Sequence, residues 1–136
     1  YGTGFRTILS KDVHRSQPYG LYWDSDYGEV EFVLSQDSVR LTAPLDYAGH
    51  LGQWVHLAAR FSLADGQLAV FADGQVLGQT AWTTPLLTDA APIRLGWDGD
   101  ASGDRYWIGS LQDVALFATA LSDERLLAHY RAGVGR

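Results

Sequence analysis

The stretch QWVHLAARF constrains the fold most. Val55, Leu57, Ala59 and Phe61 alternate with Trp54, His56, Ala58 and Arg60, and a period of two is the signature of a half-buried strand. Two more alternating runs follow, QLAVFA and QVLGQTA, separated only by Asp73-Gly74. A two-residue Asp-Gly link between such runs indicates a tight hairpin, because both of its residues must adopt positive φ. FRTILSK, YGLYWD, GEVEFVL and SVRLTA precede them; PIRLGW, DRYWIG and LQDVALF come after. Strands at a spacing of about ten residues, with no crossover helices, predict an all-β fold: an antiparallel two-sheet sandwich. One short helix is expected at the C-terminus, over LSDERLLAHYRAG. Ser122 is its N-cap, Asp123 and Glu124 stand in the electropositive first turn, and Gly133 is the stop.

Composition narrows the function classes. At 136 residues the chain has the size of one domain, taken as residues 1–136. A net charge of −6, with nine Arg and one Lys scattered without a run, excludes a nucleic-acid surface. No apolar run approaches the roughly 20 residues of a membrane span. There is no Cys, so no disulfide or thiolate metal site. There is also no Met and no signal-like N-terminus, and the chain is expected to be a processed product or a piece of something longer. Thirteen of the sixteen acids are Asp, a residue that makes turns and also ligates calcium.

The segments GQWVHLAARFSLADGQLAVFADGQVLG and IRLGWDGDASGDRYWIGSLQDVALFATALSDERLLAHY together resemble laminin-G-like, concanavalin A-like jelly-roll domains. The resemblance covers the chain from about Ile8 onward. It implies two packed antiparallel sheets and a binding role in secreted or cell-surface proteins. Members of that family begin with strands that this chain lacks, so an inner strand is expected to need a partner. The remainder of the parent chain or a neighbouring chain would complete the sheets. The family's acidic pair is here Gln112-Asp113. With Val114 and Leu116 facing the core, Gln112 is expected to point inward, where the family places a structural calcium ligand.

Several residues are candidates for chemistry. Asp98, Asp100, Ser102 and Gly103 match the opening of an EF-hand loop, but position twelve is Gly109 and no helix flanks the loop, so an EF-hand is rejected. A looser rim site for one structural calcium ion remains, with Asp98, Asp100 and Asp104 as ligands and Gln112 with Asp113 as the alternative. Trp54 and His56 are a dyad only in appearance, since no nucleophile or metal accompanies them. Glu29 and Glu31 sit on one strand face at a spacing a retaining glycosidase could use, but the third acid of the glucanase pattern is missing. They are expected on a solvated face.

The aromatics carry the main functional expectation. Trp97, Tyr106, Trp23 and Tyr27 stand at strand ends or beside turns, where flat rings suit sugar C–H faces and protein surfaces alike. If the strands on either side of the Asp98 loop pair, Tyr106 and Trp107 face opposite ways, with Trp107 inside. The expected function is a non-catalytic, carbohydrate-binding module, with a structural or adhesive domain second and a glycan hydrolase a distant third.

Overall fold

The computed structural model describes residues 4–11, 18–34, 39–45, 47–86, 89–99 and 105–135. Its strands are β1 (Phe5–Lys11), β2 (Tyr19–Asp24), β3 (Glu29–Leu34), β4 (Val39–Pro44), β5 (Leu57–Ser62), β6 (Gln67–Ala72), β7 (Gln75–Ala81) and β8 (Ile93–Leu95). A single helical turn, α1 (Tyr47–His50), interrupts the long connection before β5, and α2 (Asp123–Val134) closes the described chain. All pairings are antiparallel: one sheet has the order β4-β3-β2-β1-β8 and the other β5-β6-β7.

The alternating positions explain how the two layers meet. Ile8, Trp23, Val30, Phe32, Leu34 and Leu41 of the larger sheet pack with Leu68 and Val70 of β6 and with Trp82. Leu57, Ala59 and Phe61 of β5 close on this core from one side. The layers approach most tightly where β4 lies against β7. There a Cβ on Gly78 would stand 3.1 Å from the Ala43 Cβ, so only glycine admits that contact without a shift. The β6–β7 link has the expected geometry, with φ of 51° at Asp73 and 74° at Gly74.

Helix α2 covers the outer face of the three-stranded sheet. Leu126 is buried against Ala69 and Phe71, with Leu121 and Ala58 at the margin. Arg60 ties the helix down: its guanidinium donates to the Leu121 carbonyl at 2.9 Å and to the Asp123 carboxylate, and lies 4.9 Å from the Phe71 ring centroid. The Ser122 hydroxyl accepts from the Arg125 amide at 3.3 Å, as an N-cap should. The helix does not stop at Gly133. It runs to Val134 and ends at Gly135, since glycine costs little in a last exposed turn.

Four expectations need correction. DRYWIG and LQDVALF are not strands among the described residues. Val114 and Leu116 are exposed rather than facing the core, and Gln112 is exposed rather than inward, because no strand pairs with this segment. β5 begins at Leu57, not at Gln53, leaving Trp54 exposed ahead of the strand. Trp23 belongs to the core: it stands opposite fully buried Val30 and retains 6% of its surface. Replacing it (Trp23→Ala) is expected to cost about 3–5 kcal/mol by urea unfolding, as for a buried large aromatic. A loss below about 1 kcal/mol would show that the ring does not fill the core.

Candidate functional site

The site begins with an irregularity in β1. Its register against β2 shifts between Thr7 and Leu9, and backbone groups at the shift bond to the segment after β8. The Gly96 amide donates to the Ile8 carbonyl at 3.0 Å, and the Thr7 amide donates to the Arg105 carbonyl at 3.0 Å. The Trp107 amide then donates to the Gly96 carbonyl at 2.9 Å. Gly96 and Arg105 are thus fastened to the bulge, and Trp107 to Gly96, which brings the two ends of the Asp98 segment to one place on the larger sheet. Asp100 and Asp104 of this loop lie outside the described residues.

Electrostatics fix the base of the loop. Asp98 has no exposed surface, and the Arg105 guanidinium reaches its carboxylate at 3.2 Å. Arg105 also stands 5.8 Å from the centroid of the Phe5 ring, which itself stacks on Tyr22 at 4.8 Å. Asp98 is therefore an internal anchor, not a rim carboxylate open to an ion or a sugar hydroxyl.

Above this anchor the aromatic rings form a column. Trp97 and Tyr106 stack with centroids 5.9 Å apart and planes 11° apart, and the Arg94 guanidinium lies 5.8 Å from the Trp97 centroid. Trp97 is half-buried within the column, whereas Tyr106 keeps 51% of its surface. Trp107, the next residue, turns the other way and packs at the edge of the core. Tyr27, at 76% exposure, stands on the Ser25–Gly28 turn. That turn is bonded to Gly4, at the same end of the sheet as Phe5. The structure so separates the four aromatic candidates: Trp97 and Tyr106 together, Tyr27 at the same end, Trp23 inside. Arg94 and Arg105 were missed in the sequence, although opposite charges bracketing a Gly-rich loop, Asp98 and Arg105, were a readable hint.

Of the metal candidates, Asp98, Gln112 and Asp113 are among the described residues. Gln112 and Asp113 are exposed, Asp113 with φ of 53°. Among the described residues no group of three or more His, Cys, Asp or Glu could hold a metal ion. Trp54 and His56 make no dyad either. The His56 backbone exchanges hydrogen bonds with Asp73, its ring lies 6.2 Å from Tyr130, and burial holds its pKa below the usual histidine range despite Asp73 nearby.

Glu31 is the largest surprise. It is 2% exposed, not solvated. It stands opposite Tyr22 on the outer face of the larger sheet, and Tyr22 stands opposite Thr7. Arg40 donates to Glu31 Oε1 at 3.1 Å, while Glu31 Oε2 and Thr7 Oγ1 are buried without a hydrogen-bond partner among the described residues. Burial raises the Glu31 pKa; Arg40 opposes the shift, and Asp24 and Glu29 add to it.

The family can now be placed. A family model described as the concanavalin A-like lectin/glucanases superfamily (Laminin_G_3) matches residues 2–126. The chain belongs to this family. Among solved structures it is similar to a proposed carbohydrate-binding protein from Bacteroides ovatus, at 17% identity and a TM-score of 0.72, over 93% of this chain and 36% of that one. It is also similar to a heptameric SAP-like pentraxin from Limulus polyphemus, at 21% identity and a TM-score of 0.67, over 93% of this chain and 63% of that one. An S-layer domain-containing protein from Clostridium thermocellum follows, at 18% identity and a TM-score of 0.50, over 95% and 64%. The chain thus spans about a third of the first of these chains and under two thirds of the others. No curated protein matches it. At these identities the likeness is one of fold, and no helix among the described residues is long and apolar enough to cross a membrane.

The raised pKa of Glu31 has a definite sign. A carboxyl that holds its proton more tightly when folded contributes stability that is present at low pH and lost as pH rises through its folded pKa. Glu31→Gln removes that titration. The stability of the variant relative to the natural chain is expected to increase as pH rises from about 4, measured by urea unfolding across a pH series. A difference that moves the other way would mean that the Arg40 pair outweighs burial.

Proposed function

We propose that this domain is a non-catalytic carbohydrate-binding module of a secreted or cell-surface protein. The observation that carries the reading is the stack of Trp97 and Tyr106, with Arg94 beside Trp97, in which Tyr106 keeps about half of its surface exposed. A sugar ring presents C–H groups to such a face, and the rings beneath keep it from tilting away. Tyr27, on the neighbouring turn, is the second contact. One shallow stack of this kind corresponds to a Kd of about 1 mM, or roughly 4 kcal/mol. Membership of a lectin and glucanase family supports this reading, as does the Bacteroides ovatus protein, whose description is of carbohydrate binding.

A structural or adhesive role is the second reading. It is favoured by the exposed apolar side chains of Ile108, Val114, Leu116 and Phe117, which suit a protein surface and not a sugar. In both readings further polypeptide, from the parent chain or a neighbour, completes the sheets. One structural calcium ion stays in the proposal through Asp100 and Asp104, with Asp98 withdrawn because Arg105 already neutralises it.

A glycan array probed in calcium and in chelator, followed by titration of the best sugar, tests this. Tyr106→Ala is expected to lower affinity by at least about tenfold (roughly 1.4 kcal/mol) with an unchanged Tm, whereas Trp97→Ala lowers both. Binding that survives Tyr106→Ala would remove the platform. Chelator is expected to lower Tm by mass action, and an unmoved melting curve would remove the ion.

A further inference from the structure

Helix α2 is seated on the three-stranded sheet in two halves, and different chemistry holds each. Leu57, Ala59 and Phe61 pack inward, so His56, Ala58 and Arg60 form a row on the outer face. The helix meets this row residue by residue. Asp123 receives Arg60, Leu126 packs with Ala58 at its margin, and the Tyr130 ring lies 6.2 Å from that of His56. These helical residues stand three and four apart, and so on one face of α2. The first half is secured by buried Leu126 and by a guanidinium, a group that keeps its charge at any ordinary pH. The second half rests on the β6–β7 turn and on His56. A Cβ on Gly74 of that turn would stand 2.8 Å from Leu127 Cδ1. His129, beside Tyr130, faces the Phe117 ring at 5.5 Å.

His56 is the titratable group in this second seat. Its Nδ1 is buried and has no hydrogen-bond partner among the described residues. A neutral ring loses little there. An imidazolium carries a charge into the same place and leaves its Nδ1–H without an acceptor. The groups around it offer one counter-charge. Asp73 of the β6–β7 turn is a carboxylate, but its Oδ1 already accepts from the His56 backbone amide at 3.0 Å. From α2, His129 opposes a positive charge and Tyr130 supplies only its ring. Arg60, on the same face of β5, is a cation already paired with Asp123. Burial is the largest influence on the His56 pKa and lowers it; Asp73 raises it, His129 lowers it, and the net shift is downward.

We infer that the second half of α2 is an acid-released clasp, in which protonation of His56 frees residues 127–134 from the sheet while Arg60 and Leu126 keep the first turn seated. A histidine that resists its charge when docked contributes docking stability that is whole above its ordinary value of about 6.5. That stability is lost as the pH falls below this value toward the docked one. The opening uncovers apolar surface, since Leu127 and Tyr130 come away beside Phe117, which is exposed already. Mild acid thus changes what this side of the domain presents to a protein partner. The inference stands whether or not Tyr106 binds a sugar.

Residue-resolved hydrogen exchange on the natural full-length polypeptide tests it, at about pH 7 and about pH 5, with intrinsic exchange rates corrected for pH. Protection of the amides of residues 130–134 is expected to fall about ten- to thirtyfold, the range that a histidine of ordinary value allows across that interval. Leu68 and Val70 of β6 are expected to keep theirs. In His56→Gln, which cannot take the charge, helix protection is expected to be equal at both pH values. Should that variant not fold, the natural protein still decides. The midpoint of lost protection must then lie within about half a pH unit of the titration of the His56 ring, followed by its imidazole proton resonances. Unchanged helix protection, an equal loss in β6, an equal loss in folded His56→Gln, or midpoints further apart would each overturn the inference.

Discussion

The candidate site depends on a charge buried without residual exposure. Asp98 stands at the foot of the aromatic loop and meets the guanidinium of Arg105, seven residues on, at 3.2 Å. Such a pair is no guarantee of stability, since desolvating two ions offsets most of their attraction. What it supplies is geometry. Once Asp98 and Arg105 must meet out of water, the two limbs of the loop are drawn together, and Trp97 and Tyr106, each adjacent to a member of the pair, are brought into stacking distance.

The strand beneath the loop is shaped to receive it. β8 pairs only with Leu9–Lys11, which leaves the earlier part of that edge of β1 to other partners. At the register shift the Thr7 amide and the Ile8 carbonyl fasten Arg105 and Gly96. Phe5 then offers its ring to Arg105 and its other contacts to Tyr22 and Val33. Bulge, ion pair and ring stack form one device at one end of the larger sheet. The remainder of the sandwich holds that end in place by burying Trp23, Phe32 and Leu68 between the layers.

Much of this was legible in the residues, and the failures share a cause. Local signals succeeded where local physics decides: the Asp73-Gly74 hairpin, the Ser122 cap, the alternation of β5 and the opposite orientations of Tyr106 and Trp107. They failed where a partner distant in sequence decides. LQDVALF alternates like a strand, but a strand needs a neighbour to bond to, and none stands beside it among the described residues. Glu31 alternates like a solvated residue, but the outer face of the larger sheet is itself largely buried, with Thr7, Ser10, Tyr22 and Asp24 beside it. Asp98 looked like a ligand because Asp in a Gly-rich loop has two uses, and only the position of Arg105 selects between them.

The central claim is that the Asp98–Arg105 pair holds the aromatic platform, and a double-mutant cycle tests it most directly. Asp98→Asn, Arg105→Gln and the double variant are compared by urea unfolding. Each single change strands a buried partner and is expected to cost about 3–5 kcal/mol. The double variant, which strands none, is expected to cost less than the sum by at least about 1 kcal/mol. Costs that add to within about 0.5 kcal/mol would mean that the two groups act independently, and that the loop owes its shape to something else.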